Sequence, residues 1–515
     1  MMAAKQAYQS EGVCLSDLLQ GILDIDVVGL DRVTVLGLST DSRRIGPGDL
    51  FLACGGLTTK GHKFINDAIR YGACAVLYDS AESLPGIGPE KRVPVIAVDD
   101  LSSKIGLLAA RFFQNPSKEL VVTGVTGTNG KTSCSHILAH ALSKATASPA
   151  GVMGTLGYGV CGELEKASHT TPDAITVHRL MNKMKRCDTK DVVMEVSSHG
   201  LHQGRIVGVE VDVAVLTNIS RDHLDYHQTM QAYVDAKRRL FSWPSLKCAV
   251  VNLDDAYAQY MLEAVSLDVE RIGYTLGDCG KFSEKGVVRL VRGTILNAST
   301  SGCEVLVKSE WGEASFKTSL IGEFNVSNLL AALSVLLWRG VNFDEALARL
   351  ATVRPLLGRM EVVANAESVP TVIIDYAHTP DALEKALTTI KKLSACKLWC
   401  VFGCGGDRDQ GKRAQMGSIA REYADEVVVT DDNPRFESPS QIVEDILSGI
   451  SNREAVHTIS NREQAIAYAL NQASAEDVVL IAGKGHEDYQ DVQGQRTFFS
   501  DHAVVLSLLS AEGKS

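Results

Sequence analysis

The chain has 515 residues, which at roughly 100–200 residues per domain is enough for about three domains. Hydrophobic residues make up 45% of it and charged residues 22%, so wholesale disorder is excluded. The formal net charge is −11, from 51 basic and 62 acidic side chains. We therefore expect neither a general nucleic-acid binder nor a protein that binds anionic membranes.

No apolar run is long enough to cross a bilayer. The longest, around residues 329–338, is interrupted by Ser334 and falls well short of about 20 residues. Residues 1–31 contain Asp17, Asp24 and Asp26 and lack a basic segment followed by an apolar one, so a signal peptide is not expected. These features predict a cytoplasmic protein.

Twelve cysteines are scattered along the chain without paired spacing, which favours reduced thiols in a cytosol. Cys396, Cys400 and Cys404 recur at every fourth position, a spacing that a metal site could use. The segment nevertheless reads as an apolar strand running into a glycine turn. Buried strand cysteines are therefore the favoured interpretation.

Short apolar runs rich in valine and isoleucine alternate with longer helical patterns along the chain. Runs of this kind are typical of strands buried on both faces, and they predict parallel sheets in an α/β architecture. The predicted strands are residues 120–125, 192–196, 213–217, 371–375, 398–402, 426–430 and 478–482.

Two breaks in the pattern suggest domain boundaries. Residues 115–117 read Asn-Pro-Ser before a strand, and residues 354–358 read Arg-Pro-Leu-Leu-Gly between a helical stretch and a further series of strands. We therefore predict three domains, at residues 1–116, 117–356 and 357–515.

The strongest motif is GVTGTNGKT at residues 124–132, between a predicted strand and a helical pattern at residues 133–144. Glycines allow backbone N–H groups to approach phosphate oxygens, and the helix N-terminus adds partial positive charge. Lys131 can reach the outer phosphates and Thr132 can bind Mg²⁺. The usual spacing puts a glycine at position 125, where this chain has valine; Gly124 lies one residue earlier. The motif predicts nucleoside triphosphate binding.

The string TGTNGKT resembles the ATP loop of the Mur ligases, and further matches run through every section of the chain. These ligases are cytoplasmic enzymes that form amide bonds of the peptidoglycan peptide at the expense of ATP; folylpolyglutamate synthetase is a relative. The resemblance implies a central P-loop ATPase domain with a parallel sheet. An N-terminal UDP-binding α/β domain and a C-terminal Rossmann-like domain would flank it. The loop residues implied to bind ATP are Gly127, Thr128, Asn129, Gly130, Lys131, Thr132 and Ser133.

A metal centre is expected beside this loop. Glu195 ends an apolar strand, where a carboxylate is well placed to hold Mg²⁺ together with Thr132. The segment NISRDHLDYH at residues 218–227 resembles the family segment whose histidine, here His223, serves a second Mg²⁺. By the same resemblance Lys237 would be carbamylated with CO₂, which turns a cation into an anion that supports Mg²⁺. Lys131, Lys237, Glu195 and His223 are thus the expected catalytic residues.

A sugar-nucleotide site is implied by the N-terminal segment and by two later ones. Ser42 would contact uracil, and Thr58, Thr59 and Lys60 would lie near the diphosphate. Later residues would bind the anionic peptide through hydroxyl, amide and guanidinium groups. These residues are Thr170 and Thr171 in the TTPD segment, followed by Ser197, Gln203 and Arg205.

Further matches concern ATP and the incoming amino acid. Asn325, Arg359, Asp375 and His378 are implied to contact the nucleotide from three separate segments, so that the site would close by domain rotation. The D-N-P-R string at residues 432–435 resembles ligases that add meso-diaminopimelate. Arg408 and Arg435 would hold its distal carboxylate and Glu487 would face its distal ammonium. The implied set is Arg408, Asp432, Asn433, Pro434, Arg435, Gly483 and Glu487.

The resemblance therefore implies an ATP-dependent acid–amino-acid ligase that adds meso-2,6-diaminopimelate to UDP-MurNAc-L-Ala-D-Glu in peptidoglycan precursor synthesis. We expect it to act as a monomer with Mg²⁺. Two alternatives stay open. The chain could add L-lysine or D-Ala-D-Ala instead, or it could be a nucleotide-binding regulator without catalytic activity.

Overall fold

The computed structural model describes residues 12–23, 29–55, 60–84, 86, 93–145, 148–277, 289–366 and 368–511. The chain divides into two compact units. Unit 1 contains Met1–Val122, Ser148–Val192 and His199–Val211, and unit 2 contains Thr123–Ala147, Val193–Ser198 and Asp212–Ser515.

The elements up to residue 116 form an α/β segment. They are β1 (Val13–Cys14), α1 (Leu15–Leu19), β2 (Thr34–Val35), β3 (Gly37–Ser39), β4 (Asp49–Ala53), α2 (Ile65–Tyr71), β5 (Ala75–Asp79), β6 (Val95–Val98) and α3 (Leu101–Phe112).

The central part of the chain is the longest. Its first elements are β7 (Val121–Thr126), α4 (Lys131–Ala145), β8 (Gly151–Gly154), β9 (Gly157–Val160), β10 (Glu163–Glu165), α5 (Ala174–Arg186), β11 (Asp191–Glu195), α6 (Ser198–His202), β12 (Val213–Leu216), α7 (Leu224–His227) and α8 (Met230–Arg238). They continue with β13 (Cys248–Asn252), α9 (Ala258–Leu262), β14 (Glu270–Thr275), β15 (Arg289–Ser299), β16 (Gly302–Ser309), β17 (Gly312–Thr318), α10 (Glu323–Trp338) and α11 (Phe343–Ala351).

The last part alternates strands and helices. Its elements are β18 (Glu361–Ala366), β19 (Val369–Asp375), α12 (Pro380–Leu393), β20 (Leu398–Phe402), α13 (Gly411–Tyr423), β21 (Glu426–Val429), α14 (Pro439–Leu447), β22 (Val456–Thr458), α15 (Arg462–Gln472), β23 (Val478–Ala482), β24 (Tyr489–Val492), β25 (Gln495–Phe498) and α16 (Asp501–Ala511). Short 3₁₀ helices occur at Leu30–Arg32, Ser42–Arg44, Gly61–Phe64, Pro116–Glu119 and Arg239–Ser242.

The seven runs predicted as strands are all strands, with ends that differ by no more than two residues. In unit 1 the strands β3, β4, β5 and β6 form a parallel sheet in that order. In unit 2 the strands β7, β12, β13, β14 and β15 run parallel in that order, and β16 and β17 extend them with antiparallel pairs. The α/β prediction with parallel sheets is confirmed.

A second sheet of unit 2 is built from residues after 360, in the order β18-β19-β23-β20-β21-β22. Only β18 runs antiparallel to its neighbour. Cys400 lies within β20 and Cys404 just beyond it; both are buried, and burial raises the pKa of each thiol to about 12. This is the environment of structural strand cysteines, as the sequence favoured.

Helix positions follow from their caps and apolar faces. Thr379 accepts a hydrogen bond from Ala382 N at the start of α12, where Pro380 takes the first turn and needs no N–H partner. α10 is apolar on nearly all sides and is buried over most of its length, as expected of a helix packed against a sheet and against α4. In the described residues no helix is long and apolar enough to cross a membrane.

A buried ion pair supports the six-stranded sheet whose strands lie within residues 361–482. Arg462 and Asp501 begin α15 and α16, and both side chains are completely buried. Arg462 donates to Asp501 through Nε at 2.7 Å and Nη2 at 2.8 Å, and to the carbonyl of Ala482 at the end of β23 at 2.9 Å. The guanidinium therefore ties two helix starts to one strand end.

We expect Arg462→Ala to lower the free energy of unfolding by about 3–5 kcal/mol, because it leaves the buried Asp501 carboxylate without its partner. Urea unfolding followed by tryptophan fluorescence measures the change. The matched control is Lys392→Ala, which removes an exposed ion pair with Glu323 and should cost less than about 1 kcal/mol. Equal midpoints for Arg462→Ala and the unchanged protein would contradict this account.

Candidate active site

The phosphate loop, which is the predicted triphosphate-binding segment at residues 127–132, begins where β7 ends. Gly127 has φ 149° and Gly130 has φ 81°, conformations that side chains rarely adopt. A Cβ at Gly127 would overlap Thr217 Oγ1, and one at Gly130 would come within 2.7 Å of Asn328 Oδ1. Gly124 lies inside β7 and takes no part in the loop, so the phosphate loop itself starts at Gly127.

Hydrogen bonds with residues that follow β12 hold the loop in place. The backbone N–H groups of Thr128 and Asn129 donate to Asn218, at 2.7 Å to its carbonyl and 3.0 Å to its side-chain oxygen. Thr217 Oγ1 and Asn218 Nδ2 both donate to the Asn129 carbonyl, at 2.6 and 3.0 Å. Buried Thr128 Oγ1 also lies 2.8 Å from the Tyr233 hydroxyl. The ends of two parallel strands thus determine the shape of the loop.

Two lysine amines converge on one backbone oxygen. Lys131 Nζ donates to the Gly127 carbonyl at 2.9 Å and to the Thr128 carbonyl at 2.8 Å. Lys237 Nζ, from α8, donates to the same Gly127 carbonyl at 2.7 Å. Desolvation lowers the pKa of both amines, and the charge of Lys131 lowers the pKa of Lys237 further. This arrangement concentrates cationic groups where a phosphate chain would lie.

A carboxylate stands beside the lysines. Buried Glu195, at the end of β11, accepts a hydrogen bond from Thr132 Oγ1 at 3.0 Å. The Arg359 guanidinium donates to the same Thr132 oxygen at 3.2 Å, and its Cζ lies over the Tyr376 ring, 4.3 Å from the ring centroid. Thr132 and Glu195 are therefore brought together as the metal prediction expected.

His223 lies in a different environment, beside Asp222. Its Nε2 is 3.3 Å from Asp222 Oδ2, and His378 Nε2 and Lys412 Nζ approach the same carboxylate at 4.0 and 3.9 Å. Burial opposes ionisation of Asp222, but the three neighbours together lower its pKa. Burial lowers the pKa of His378 to about 4. Asp222 therefore stays anionic and orients His223.

The donor set fits Mg²⁺. Thr132 and Glu195 offer oxygen ligands about one hydrogen bond apart. Among the residues that the structure describes, no group of three or more His, Cys, Asp or Glu side chains is gathered for a metal ion. Mg²⁺ usually takes one or two carboxylates and fills its remaining positions with water and substrate phosphates, so a sparse protein site suits it.

The other predicted nucleotide residues are spread over unit 2. Asn325 is buried in α10 and donates to the Ile321 carbonyl at 2.8 Å. Asp375 Oδ2 accepts from Met360 N at 2.7 Å, and burial raises its pKa to about 6 against the opposing effect of Arg359. Ser133 is buried in the first turn of α4.

Contacts also run between the loop and the residues after 357. Asn129 Nδ2 donates to Asp381 Oδ2 at 2.9 Å. Arg221 forms a two-pronged pair with Asp409, from Nε at 3.0 Å and Nη2 at 3.1 Å. These polar contacts join the two sheets of unit 2 around the phosphate loop.

The predicted sugar-nucleotide residues are divided between the units. In unit 1 Arg205 donates to Gln203 Oε1 at 3.0 and 2.7 Å and to the Thr171 carbonyl at 2.6 Å, and Thr170 Oγ1 lies 3.1 Å from Thr155 Oγ1. Also in unit 1, Ser42 is buried and Lys60 Nζ is 3.0 Å from Glu82. Ser197 belongs to unit 2. Thr58 and Thr59 lie outside the described residues.

Asn433 and Glu487, two of the residues predicted for the amino acid, share a polar network with Lys484. Asn433 Nδ2 donates to Glu487 Oε2 at 2.8 Å, and completely buried Lys484 donates to Asn433 Oδ1 at 3.1 Å. Desolvation and the charge of Asp432 raise the pKa of Glu487, while Lys484 opposes them. Gly483 has φ 111°, and a Cβ there would lie 2.8 Å from Asp432 Oδ2.

The two predicted arginines lie in neighbouring loops. Arg435, at φ 52°, donates from Nη1 to the Gly406 carbonyl at 2.6 Å. Its backbone N–H donates to the Asp491 carbonyl, and its carbonyl accepts a hydrogen bond from Gln493 N, both in the β24–β25 hairpin. Buried Pro434 precedes it. Exposed Arg408 donates to the carbonyl of Asp407 at 2.9 Å.

Sequence reasoning missed several groups. Asp222, Lys412 and Lys484 were not assigned, although Asp222 adjoins His223 and Lys484 lies in the G-K-G-H-E segment. Asp222 and Lys484 adjoin motif residues, and this position in the sequence could have identified them. The pair Arg221–Asp409 joins residues 188 positions apart, and nothing local marks it.

Comparisons with known proteins find one family in three successive parts of the chain. Three family models match: "Mur ligase family, catalytic domain" at residues 34–113, "Mur ligase middle domain" at 125–336, and "Mur ligase, glutamate ligase domain" at 358–485. A Coxiella burnetii protein named UDP-N-acetylmuramoyl-L-alanyl-D-glutamate–2,6-diaminopimelate ligase is 45% identical over 469 residues, 91% of this chain and 94% of its own length.

Solved structures are similar as well. One of a UDP-N-acetylmuramoyl-L-alanyl-D-glutamate–2,6-diaminopimelate ligase has a TM-score of 0.69 and 35% identity, and covers 98% of this chain and 100% of its own. The MurF ligase of Thermotoga maritima in complex with ADP has a TM-score of 0.59 and 18% identity, and covers 92% of this chain and 97% of its own. At that identity the likeness shows the fold alone.

We expect Gly127→Ala to abolish ADP and ATP binding in calorimetry, because the new Cβ would displace Thr217 from the loop. Gly124→Ala is the matched control in the same segment. Its Cβ would meet only the side chains of Val196 and Leu240, at 3.2 and 3.3 Å, so nucleotide affinity should change less than about twofold. Nucleotide binding lost equally in both variants would contradict the assignment of the loop.

Proposed function

The chain belongs to the Mur ligase family, and we propose that it adds meso-2,6-diaminopimelate to the γ-carboxylate of D-glutamate in UDP-MurNAc-L-Ala-D-Glu. ATP would be the co-substrate, and the reaction would serve peptidoglycan precursor synthesis in the cytoplasm. The observation that carries this proposal is the 45% identity, over 91% of the chain, to a ligase named for that reaction. The D-N-P-R loop with its Glu487 contact supports the choice of amino acid.

In the first step, a γ-carboxylate oxygen of D-glutamate would attack the γ-phosphorus of ATP. The bond from that phosphorus to the bridging oxygen breaks, ADP leaves, and an acyl phosphate forms. Lys131 and the N–H groups at the start of α4 would bind the phosphates and stabilise the charge that develops on them. Bound Mg²⁺ would neutralise phosphate charge, with Thr132 and Glu195 holding one ion and His223 serving a second.

In the second step, the amine of diaminopimelate would attack the acyl carbon through a tetrahedral intermediate. Inorganic phosphate leaves, and the amine loses its proton as the amide forms. Holding acyl phosphate and amine together would supply much of the rate. Asn325, Arg359, Asp375 and His378 are proposed to contact the nucleotide during these steps.

Lys237 is proposed to carry the carbamate. CO₂ reacts with a neutral amine, and the lowered pKa of buried Lys237 favours that form. The carbamate anion would also relieve repulsion between Lys237 and Lys131. ¹³C NMR of the folded protein equilibrated with ¹³C-labelled bicarbonate should show a carbamate signal that is absent from Lys237→Ala. No carbamate signal from the bicarbonate-equilibrated protein would refute the proposal.

Selection of the amino acid is proposed to depend on charged side chains that bind its distal end. Arg408 and Arg435 would bind the distal carboxylate, and Glu487 the distal ammonium. Asn433, held by Lys484, orients Glu487 by a 2.8 Å hydrogen bond. Asp432, Pro434 and Gly483 would shape the wall.

The remaining assignments are proposals of the same kind. Ser42, Thr58, Thr59 and Lys60 would bind the UDP part, and Thr170, Thr171, Ser197, Gln203 and Arg205 the muramoyl dipeptide. The three domains would meet near residues 116 and 356, and the chain would act as a monomer.

The function is tested by phosphate release from ATP with Mg²⁺ and UDP-MurNAc-L-Ala-D-Glu, comparing meso-diaminopimelate, L-lysine and D-Ala-D-Ala. We expect release only with meso-diaminopimelate, because only this amine brings a distal carboxylate together with a distal ammonium. Release with L-lysine or D-Ala-D-Ala instead would refute the substrate assignment. ATP binding without release in any mixture would favour a regulator.

We expect Arg435→Lys to raise the KM for meso-diaminopimelate about tenfold or more, since lysine keeps the charge but loses the two-pronged contact with a carboxylate. The KM for ATP should stay the same in steady-state assays. Arg496→Lys is the matched control, because Arg496 is an exposed arginine of the adjoining hairpin that stacks on Tyr489. An unchanged KM for the amino acid in Arg435→Lys would contradict the role of Arg435.

A further inference from the structure

A buried guanidinium lies beneath the loops that carry the two specificity arginines. Arg413 belongs to α13, and its side chain is 1% exposed. It donates from Nη1 to Asp445 Oδ2 at 2.8 Å, and from Nη2 to Glu437 Oε1 at 2.9 Å and to the Gly405 carbonyl at 3.3 Å. The role of Arg413 lies outside all the assignments above.

The partners of Arg413 belong to both specificity loops. Gly405 begins the turn that presents Arg408, and Glu437 follows Arg435 by two residues. Glu437 Oε1 also accepts a hydrogen bond from the backbone N–H of Asp407. The hydrogen bond from Arg413 lowers the pKa of Glu437, so this contact is charged. One guanidinium therefore joins the loop after β20 to the loop after β21.

The two loops are also hydrogen-bonded directly to each other, close to the Arg413–Glu437 pair. Gly406 N donates to the Asn433 carbonyl at 2.9 Å, and Phe436 N donates to Asp407 Oδ2 at 3.2 Å. The Arg435 guanidinium rests on the Gly406 carbonyl at 2.6 Å. A Cβ at Gly405 would lie 2.8 Å from Arg435 Nη1, so the approach is close. A shift of either loop would move Arg435 relative to Arg408.

We propose that Arg413, through Glu437, is a positioning residue that sets the spacing between Arg408 and Arg435 and thereby selects an amino acid with a distal carboxylate. This inference rests on the proposed function. A carboxylate bound by two guanidinium groups requires both donors at hydrogen-bonding distance together, and affinity falls when their supporting residues are loose.

The hydrogen bond from Arg413 Nη1 to Asp445 provides a structural control. Asp445 lies on α14, and its bond to Arg413 joins two helices rather than the loops. α13 and α14 are also packed through glycines, because a Cβ at Gly417 would overlap the Ile446 carbonyl and one at Gly449 the Ala414 carbonyl. The helix pair therefore stays in contact when the bond to Asp445 is removed. An effect of losing Asp445 therefore reports the anchoring of Arg413 on α14 and not the contact between the two loops.

The experiment measures KM and kcat for meso-diaminopimelate, and KM for ATP, in full-length Glu437→Ala, Glu437→Gln and Asp445→Asn. We expect Glu437→Ala to raise the KM for the amino acid about tenfold, with kcat and the KM for ATP within about twofold, since one charge-assisted contact is lost. Glu437→Gln keeps the shape of the side chain and should give a smaller rise in the same direction. Asp445→Asn should leave all three constants unchanged.

Selectivity gives a readout that a merely structural role would not move. The ratio of kcat/KM for meso-diaminopimelate to that for L-lysine should fall about tenfold in Glu437→Ala and stay constant in Asp445→Asn. Equal effects in both variants, or an unchanged KM in both Glu437 variants, would overturn the inference. Failure of the proposed function is distinguishable, because then the unsubstituted protein itself would not use meso-diaminopimelate.

Discussion

The Gly127 carbonyl, which accepts hydrogen bonds from both Lys131 and Lys237, is the constraint on which the rest of the site depends. Two ammonium groups that share one buried acceptor repel each other. Desolvation lowers the pKa of both amines, and the charge of Lys131 lowers the pKa of Lys237 further. A triphosphate on Lys131 and a carbamate on Lys237 would each remove the repulsion. The protein is therefore built to bind anions at this point.

The position of that carbonyl depends on strand ends rather than on loop sequence alone. β7 delivers Gly127 beside Thr217 and Asn218 at the end of β12, and only glycine fits there. The pairs Arg221–Asp409 and Asn129–Asp381 then connect the loop to the second sheet of unit 2. A phosphate chain bound to the loop would thus be coupled to the part of the chain that carries the residues proposed for the amino acid. Such coupling would let nucleotide binding organise the proposed amine site.

Local patterns predicted the strands and the phosphate loop because periodicity, glycine and Gly-Lys-Thr act within a few residues. The Thr132–Glu195 pair could also be predicted from the sequence, since carboxyl ends of parallel strands meet at one sheet edge. The environment of His223 could not be predicted, because the pKa of buried Asp222 is kept low by partners such as Lys412, far away in sequence. Arg413 likewise becomes visible only through the loops it joins. Long-range electrostatic contacts have no periodicity, so a single sequence does not reveal them.

The central claim is that phosphate transfer at this loop activates a carboxylate. It is tested most directly with UDP-MurNAc-L-Ala-D-Glu carrying heavy oxygen in the γ-carboxylate, incubated with ATP and meso-diaminopimelate. Mass spectrometry of the released phosphate distinguishes the possibilities. An acyl phosphate intermediate predicts that each phosphate carries one heavy oxygen from the carboxylate. Unlabelled phosphate accompanied by amide product would contradict the account.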